Sequence, residues 1–179
     1  MAAKKTAAAK KKAAAKKKPG PPLKSATNLP PVGSVAPNFT LEADDGRTVS
    51  LRDFAGQTVV LYFYPKDDTT GCTAQACEFR DAFPRFTTKG AVLLGISPDP
   101  VKKHQKFKAK YGLPFTLLAD VEQQAAKAYG VWIEKQLYGN RYWANARTTL
   151  IIGADGRIAR IFEQVEPEGH AAEVAAALG

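Results

Sequence analysis

The chain predicts an α/β sandwich built around a mixed β-sheet. Three observations carry that prediction: strand-like and helix-like segments alternate over residues 31–179, two strand-like runs are apolar throughout, and a hairpin stands near the end. "NFTLEADDGRTVSL" reads as an opening hairpin with a "DDGR" turn. "TVVLYFYP", residues 58–65, is β-branched and aromatic without interruption, as a central strand covered on both faces must be. After Gly71, "CTAQACEFRDAFPRF" has helical spacing, with Ala76, Phe79 and Phe83 on one side and Pro84 expected to bend or end the helix. "AVLLGISPD" is a second buried strand, followed by a helix at "PVKKHQKFKAKYG" whose lysines read as a solvated face. "FTLLAD" gives a short strand and "VEQQAAKAYG" a short helix. "RTTLIIGADGRIARIFEQV" is a hairpin turning at Asp155 and Gly156, and "PEGHAAEVAAALG" closes the chain as a helix with Pro167 near its first turn.

Charge divides the chain in two. Residues 1–28 hold nine lysines and no acid, namely Lys4, Lys5, Lys10, Lys11, Lys12, Lys16, Lys17, Lys18 and Lys24. The remaining 17 basic residues are matched by 17 acidic ones, so the net charge of +9 belongs to the tail and the body is balanced. Residues 1–30, rich in Ala and Lys and broken by "PGPP", cannot bury apolar surface and are expected to be disordered. Their lysine triplets recur every six residues, which spreads charge around any helix and argues against a membrane-binding face. Two readings remain for this tail: a solubilising extension, or a nonspecific contact to nucleic acid in which lysines neutralise phosphates. No apolar run is long enough to span a bilayer and no secretory signal is visible, so a cytoplasmic, thiol-reducing setting is expected, with nucleoid association if the tail binds DNA. The 45% hydrophobic content suffices for a core without disulfide staples.

Only two cysteines occur, Cys72 and Cys77, five positions apart in "DDTTGCTAQACEFRD". From spacing alone they are open to two readings, small core hydrophobes or reactive thiols. A cysteine in the first turn of a helix launched from a buried strand would sit near unpaired amides and the positive end of the helix dipole, which favour the thiolate. The neighbourhood decides between the readings. "YPKDDTTGCT" sets Pro65, Thr69 and Cys72 in a P-x-x-x-T-x-x-C arrangement, and "VGSVAPNFTL", "KFKAKYGLPFTLLAD" and "RTTLIIGADGRI" flank it in order.

In these segments, from about residue 32 to the end, the chain resembles the peroxiredoxins, in the branch called bacterioferritin comigratory protein or peroxiredoxin Q. The resemblance implies a thioredoxin-like fold and a thiol-dependent peroxidase acting on hydrogen peroxide and organic hydroperoxides, with thioredoxin as reductant and no cofactor. It implies that Cys72 is the peroxidatic cysteine and Cys77 the thiol that resolves its sulfenic acid into a disulfide. Thr69 would hydrogen-bond the sulfur and the peroxide, Pro65 would shield the pocket, and Arg147 would hold the thiolate and polarise the peroxide. Without that context Arg147 reads as a surface strand cation. Thr70 stands where many members carry proline, a departure expected to matter little. On an intact helix, positions five apart have Cα atoms roughly 8.6 Å apart and side chains about 140° apart, beyond the reach of a disulfide. The first turns are therefore expected to unwind in every cycle. A resolving thiol in the same helix needs no partner subunit, so a monomer is expected.

His104 and His170 lie on separate helices and do not form a zinc ligand set with the cysteines; surface or helix-face roles are expected for both. Trp132, Tyr138, Tyr142 and Trp143 are assigned to core and loop packing, with a wall of the peroxide pocket as the alternative. A general thiol–disulfide oxidoreductase would show C-x-x-C, which is absent. A nucleic-acid-associated structural protein, its function carried by the tail, is the third reading.

Overall fold

A computed structural model describes residues 26–179. The nine-lysine stretch lies outside the described residues, but residues 27–29, assigned above to the tail, are tied to the body. The Asn28 amide donates to the Gly130 carbonyl at 2.9 Å, Thr27 Oγ1 donates to Glu163 at 2.9 Å, and Leu29 packs on the core.

Among the described residues seven strands form one sheet, in the order β2-β1-β5-β4-β3-β8-β9. They are β1 (Thr40–Ala43), β2 (Thr48–Ser50), β3 (Thr58–Phe63), β4 (Ala91–Ser97), β5 (Thr116–Ala119), β8 (Thr148–Ile152) and β9 (Ile158–Phe162). The sheet is mixed: β3, β4 and β5 run parallel, while β1 and β8 pair antiparallel to β5 and β3. The parallel strands are joined by α1 (Thr70–Thr88) and α2 (Val101–Tyr111), and a short α3 (Gln124–Ala128) and a terminal α4 (His170–Ala177) complete the layers.

β3 shows why its sequence is apolar throughout. Val59, Leu61 and Phe63 enter the core on one face, with Leu94, Ile96, Leu150 and the α3 alanines. Val60, Tyr62 and Tyr64 enter the other, under Ala76, Phe79 and Phe86 of α1, Phe107 of α2 and Val174 of α4. Strict alternation buries every side chain from 59 to 64, because helices or loops cover both sides of the sheet.

Four local expectations need correction. Pro84 does not end α1, which runs on to Thr88; a proline removes one N–H from the ladder, and the Thr87 and Thr88 hydroxyls donate to its carbonyl at 3.0 and 2.7 Å. Pro167 lies upstream of α4, which starts at His170. The aromatic cluster is a separate hairpin, β6 (Trp132–Leu137) and β7 (Asn140–Asn145), turning on Tyr138 and Gly139 with φ of 49° and 78°. Positive φ at both central residues is what a type I′ turn requires. Tyr138 is almost fully exposed and Trp143 half-exposed, so this aromatic surface is not core. Both histidines, finally, are buried: His104 bonds Asp67, and His170 Nε2 lies 2.8 Å from Thr149 Oγ1.

Candidate active site

The site forms where two chain segments meet at the end of β3. β3 feeds the loop Tyr64–Thr69 and then α1, so Cys72 falls on the first turn of the helix above the carboxyl edge of a central strand. β8 runs antiparallel to β3, pairing Thr148 with Phe63, so its first residue lies at that same edge. Arg147, immediately before β8, is thereby brought to the helix that carries Cys72. Asn145 reinforces the junction by donating to the Tyr64 carbonyl at 3.2 Å.

Arg147 Nη2 donates to Cys72 Sγ at 3.3 Å, while its Nη1 donates to Gln75 Oε1 at 2.6 Å. Cys72 and Gln75 are three residues apart and share the inward face of α1 with Ala76 and Phe79. The guanidinium therefore spans sulfur and amide across one helical turn. Gly71 gives the guanidinium room: a Cβ there would lie 3.1 Å from Arg147 Nη2 and push it back by a few tenths of an ångström. The first intrahelical bond of α1 is Thr73 N–H to the Thr69 carbonyl at 2.8 Å, so the amides of Gly71 and Cys72 have no helical acceptor. The N-cap residue Thr69 does not cap them; its hydroxyl donates backward to the Lys66 carbonyl at 2.9 Å. Donation from Thr69 to the sulfur or to a bound peroxide requires that hydroxyl to rotate.

Of the five residues singled out from the sequence, Cys72 and Arg147 are in direct contact. Thr69 is the N-cap of α1, Pro65 is half-buried at the start of the loop, and Cys77 is half-buried on the same helix. The two thiols are free, and the helix is continuous through both. Gln75 was missed by sequence reasoning, although its three-residue spacing from Cys72 on an apolar face was a usable signal. Lys135 on β6 was missed as well. Half-buried, it is held below the ordinary lysine range by burial and by the Arg147 charge, with the Cys72 sulfur pulling the other way. Beneath the site, burial pushes the Tyr62 phenol well above its ordinary value, helped by Asp67 and Cys72, so it stays protonated. Among the described residues, no group of three or more His, Cys, Asp and Glu side chains could hold a metal ion, and no helix is long and apolar enough to cross a membrane.

A sulfur paired with a guanidinium, with free amides beside it and a second thiol five residues along, is equipped for displacement at a polarised oxygen followed by thiol capture. The chain is also similar to known proteins. Residues 32–161 match the AhpC/TSA family. The putative peroxiredoxin bcp of Coxiella burnetii is 50% identical over 143 residues, covering 80% of this chain and 95% of that protein. Peroxiredoxin Bcp of Bacillus subtilis is 45% identical over 142 residues, covering 79% and 90%. Among solved structures, a peroxiredoxin Q mutant from Xylella fastidiosa superposes with a TM-score of 0.80 at 35% identity, over 86% of this chain and 97% of that one. Xanthomonas campestris bacterioferritin comigratory protein, solved in a study of its alkyl peroxide reduction, gives 0.75 at 37% identity, over 78% and 89%.

Proposed function

The chain belongs to the AhpC/TSA family, in its Bcp and peroxiredoxin Q branch, and from that premise we propose that Cys72 is the sulfur that attacks peroxide and Cys77 the thiol that resolves it. The protein is a thiol-dependent peroxidase with a thioredoxin-like fold, acting on hydroperoxides with a thioredoxin-type dithiol as reductant. In the first step the Cys72 thiolate forms an S–O bond as the O–O bond breaks. The sulfur is oxidised by two electrons to a sulfenic acid, and the departing alkoxide or hydroxide takes a proton to leave as alcohol or water. Arg147 and the free amides of the first turn stabilise the charge on sulfur and on the departing oxygen. Thr69 orients the peroxide and Pro65 shields the sulfur from bulk water.

Next, the Cys77 thiol displaces hydroxide from the Cys72 sulfenic acid, giving a disulfide and water. Helix geometry forbids that bond while α1 is wound, so the turns between the two residues open first. An external dithiol then exchanges with the disulfide, returning both thiols and leaving oxidised itself. The Arg147–Cys72 contact carries this reading. Peroxide consumption coupled to thioredoxin and its reductase tests it. Cys72→Ser should abolish turnover, and Cys77→Ser should consume one equivalent and stall unless a small thiol is added. Sustained thioredoxin-coupled turnover by Cys77→Ser would remove Cys77 from the cycle.

Because both thiols lie on one helix, a monomer is catalytically sufficient, with thiol recycling in a reducing, cytoplasmic setting. The nine tail lysines support a further reading, that the enzyme is held near DNA by nonspecific phosphate contacts. Full engagement would give a salt slope of about −8. Equal gel retardation of the full chain and a chain starting at Val32 would end that reading.

A further inference from the structure

The loop that delivers Thr69 and Cys72 is tied down by a buried polar cluster that does not touch the reacting sulfur. Asp67, two residues before Thr69, is buried. Its Oδ1 accepts from the Tyr64 hydroxyl at 2.5 Å, its Oδ2 lies 2.6 Å from His104 Nδ1, and its backbone N–H donates to Asp99 Oδ2 at 2.7 Å. Asp99 is held in turn by Ser97 Oγ at 2.8 Å and by Lys103 Nζ at 3.0 Å. His104 Nε2 stands 3.0 Å from the Leu118 carbonyl, which can only accept, so Nε2 carries a hydrogen. The short Nδ1–Asp67 contact must then contain a proton as well, on either partner. Burial raises the Tyr64 phenol well above its ordinary value, so that group remains a donor.

The same helix, α2, pins the next residue. The Asp68 carboxylate receives Lys110 Nζ at 3.0 Å and the Tyr111 hydroxyl at 2.8 Å. Asp68 has φ 58°, a left-handed conformation that persists in a non-glycine residue when its surroundings over-determine it. Beyond Cys77, Arg80 Nη1 donates to the Tyr111 carbonyl at 2.8 Å, so α2 also grips α1 downstream of both thiols. Anchors at Asp67, Asp68 and Arg80 thus bracket the segment that must unwind. A buried ionic cluster is poor evidence of a contribution to stability, since desolvation offsets the attraction. What this one fixes is a backbone course.

We propose that His104, acting through Asp67, is a positioning residue of the peroxide reaction. It holds the loop so that Thr69 and the first-turn amides of α1 stand beside Cys72, and it keeps its place while Thr70–Phe79 opens and rewinds. The inference rests on Cys72 being the attacking sulfur.

Two substitutions in the full chain separate the contacts of the imidazole. His104→Gln keeps a donor for Leu118 and loses the contact with Asp67; His104→Asn keeps an amide near the Nδ1 position for Asp67 and loses the contact with Leu118. Stopped-flow measurement of the first reaction with hydrogen peroxide, alongside disulfide formation and urea stability, gives the readout. A misplaced reacting group costs on the order of 100-fold. His104→Gln should therefore slow the peroxide step by about 10- to 100-fold in folded protein, with His104→Asn restoring it to within about threefold. A folded His104→Gln reacting at the wild-type rate overturns the proposal, as does equal loss in both variants in proportion to stability. Should His104→Gln not fold, Asp67→Ser removes the carboxylate through which His104 acts, and an unchanged peroxide step in that folded variant also overturns the proposal. If Cys72 of the unaltered chain fails to react while the protein is folded, the reading of the site falls first and this inference with it.

Discussion

Gln75→Ala removes the acceptor that sits 2.6 Å from Arg147 Nη1 and leaves the guanidinium, among the described residues, anchored at the active site by the Cys72 sulfur alone. Hydrogen bonds to charged groups contribute about 1.5–3 kcal/mol. If that whole amount goes into holding Arg147 at the sulfur, the peroxide step slows by roughly 10- to 150-fold, since 1.36 kcal/mol is tenfold. That range is an upper bound, because the guanidinium retains its contact at 3.3 Å. The assay is the single-turnover rate with hydrogen peroxide in wild type, Gln75→Ala, Arg147→Ala and the double variant. Residues that act through one another do not add, so Gln75→Ala should cost little once Arg147 is gone. A Gln75→Ala rate within twofold of wild type, or an equal cost with and without Arg147, would refute the bridge.

Tyr62→Phe should stabilise the reduced protein by up to about 1 kcal/mol in urea unfolding, because the buried Tyr62 hydroxyl has no hydrogen-bond partner among the described residues; a loss of stability would mean that the hydroxyl is satisfied. Gly95→Ala should destabilise by about 1–3 kcal/mol, since its Cβ would meet the Tyr62 ring and Leu117 at 2.9 Å, and that ring stacks on Tyr64 and Phe79. An unaffected melting profile would show that the ring can yield. His170 is held below the ordinary histidine value of 6.5, first by burial, with Glu173 opposing. The unfolded chain therefore binds a proton more readily, and stability falls as pH drops below that value, by at most about 1.4 kcal/mol per pH unit from this group. His170→Gln should flatten the slope below pH 6.5, and an unchanged slope would place its origin elsewhere.

The parts of the fold that were legible in the sequence are those where one requirement leaves one composition. β3 must be apolar at every position because both faces are covered, and the Asp155-Gly156 turn shows its conformational demand locally. The hairpin at 132–145 was hidden because its aromatic residues read as core, although Tyr138-Gly139 was the turn signal and the residues around it face outward. Gln75 and the two histidines were hidden for the opposite reason. Polar residues on helices read as solvent-facing, and burial reverses that only where a partner elsewhere in the chain satisfies them, as Arg147, Asp67 and Thr149 do here. The spacing of His104 from Phe107 on the inward face of α2 was the available clue. Cys72 and Arg147 are 75 positions apart, and the antiparallel pairing of β8 with β3 brings them together. Only the motif context made that meeting visible beforehand.

The central claim is that one sulfur reacts and that its helix opens to let a neighbour on the same helix capture it. One equivalent of hydrogen peroxide added to the reduced chain, followed by peptide mapping and amide exchange, tests this directly. A Cys72–Cys77 disulfide is expected as the main product, with faster exchange across Thr70–Phe79 than in the reduced protein. Oxidised Cys72 left unlinked to Cys77, or a disulfide formed with exchange over that stretch unchanged, would contradict it.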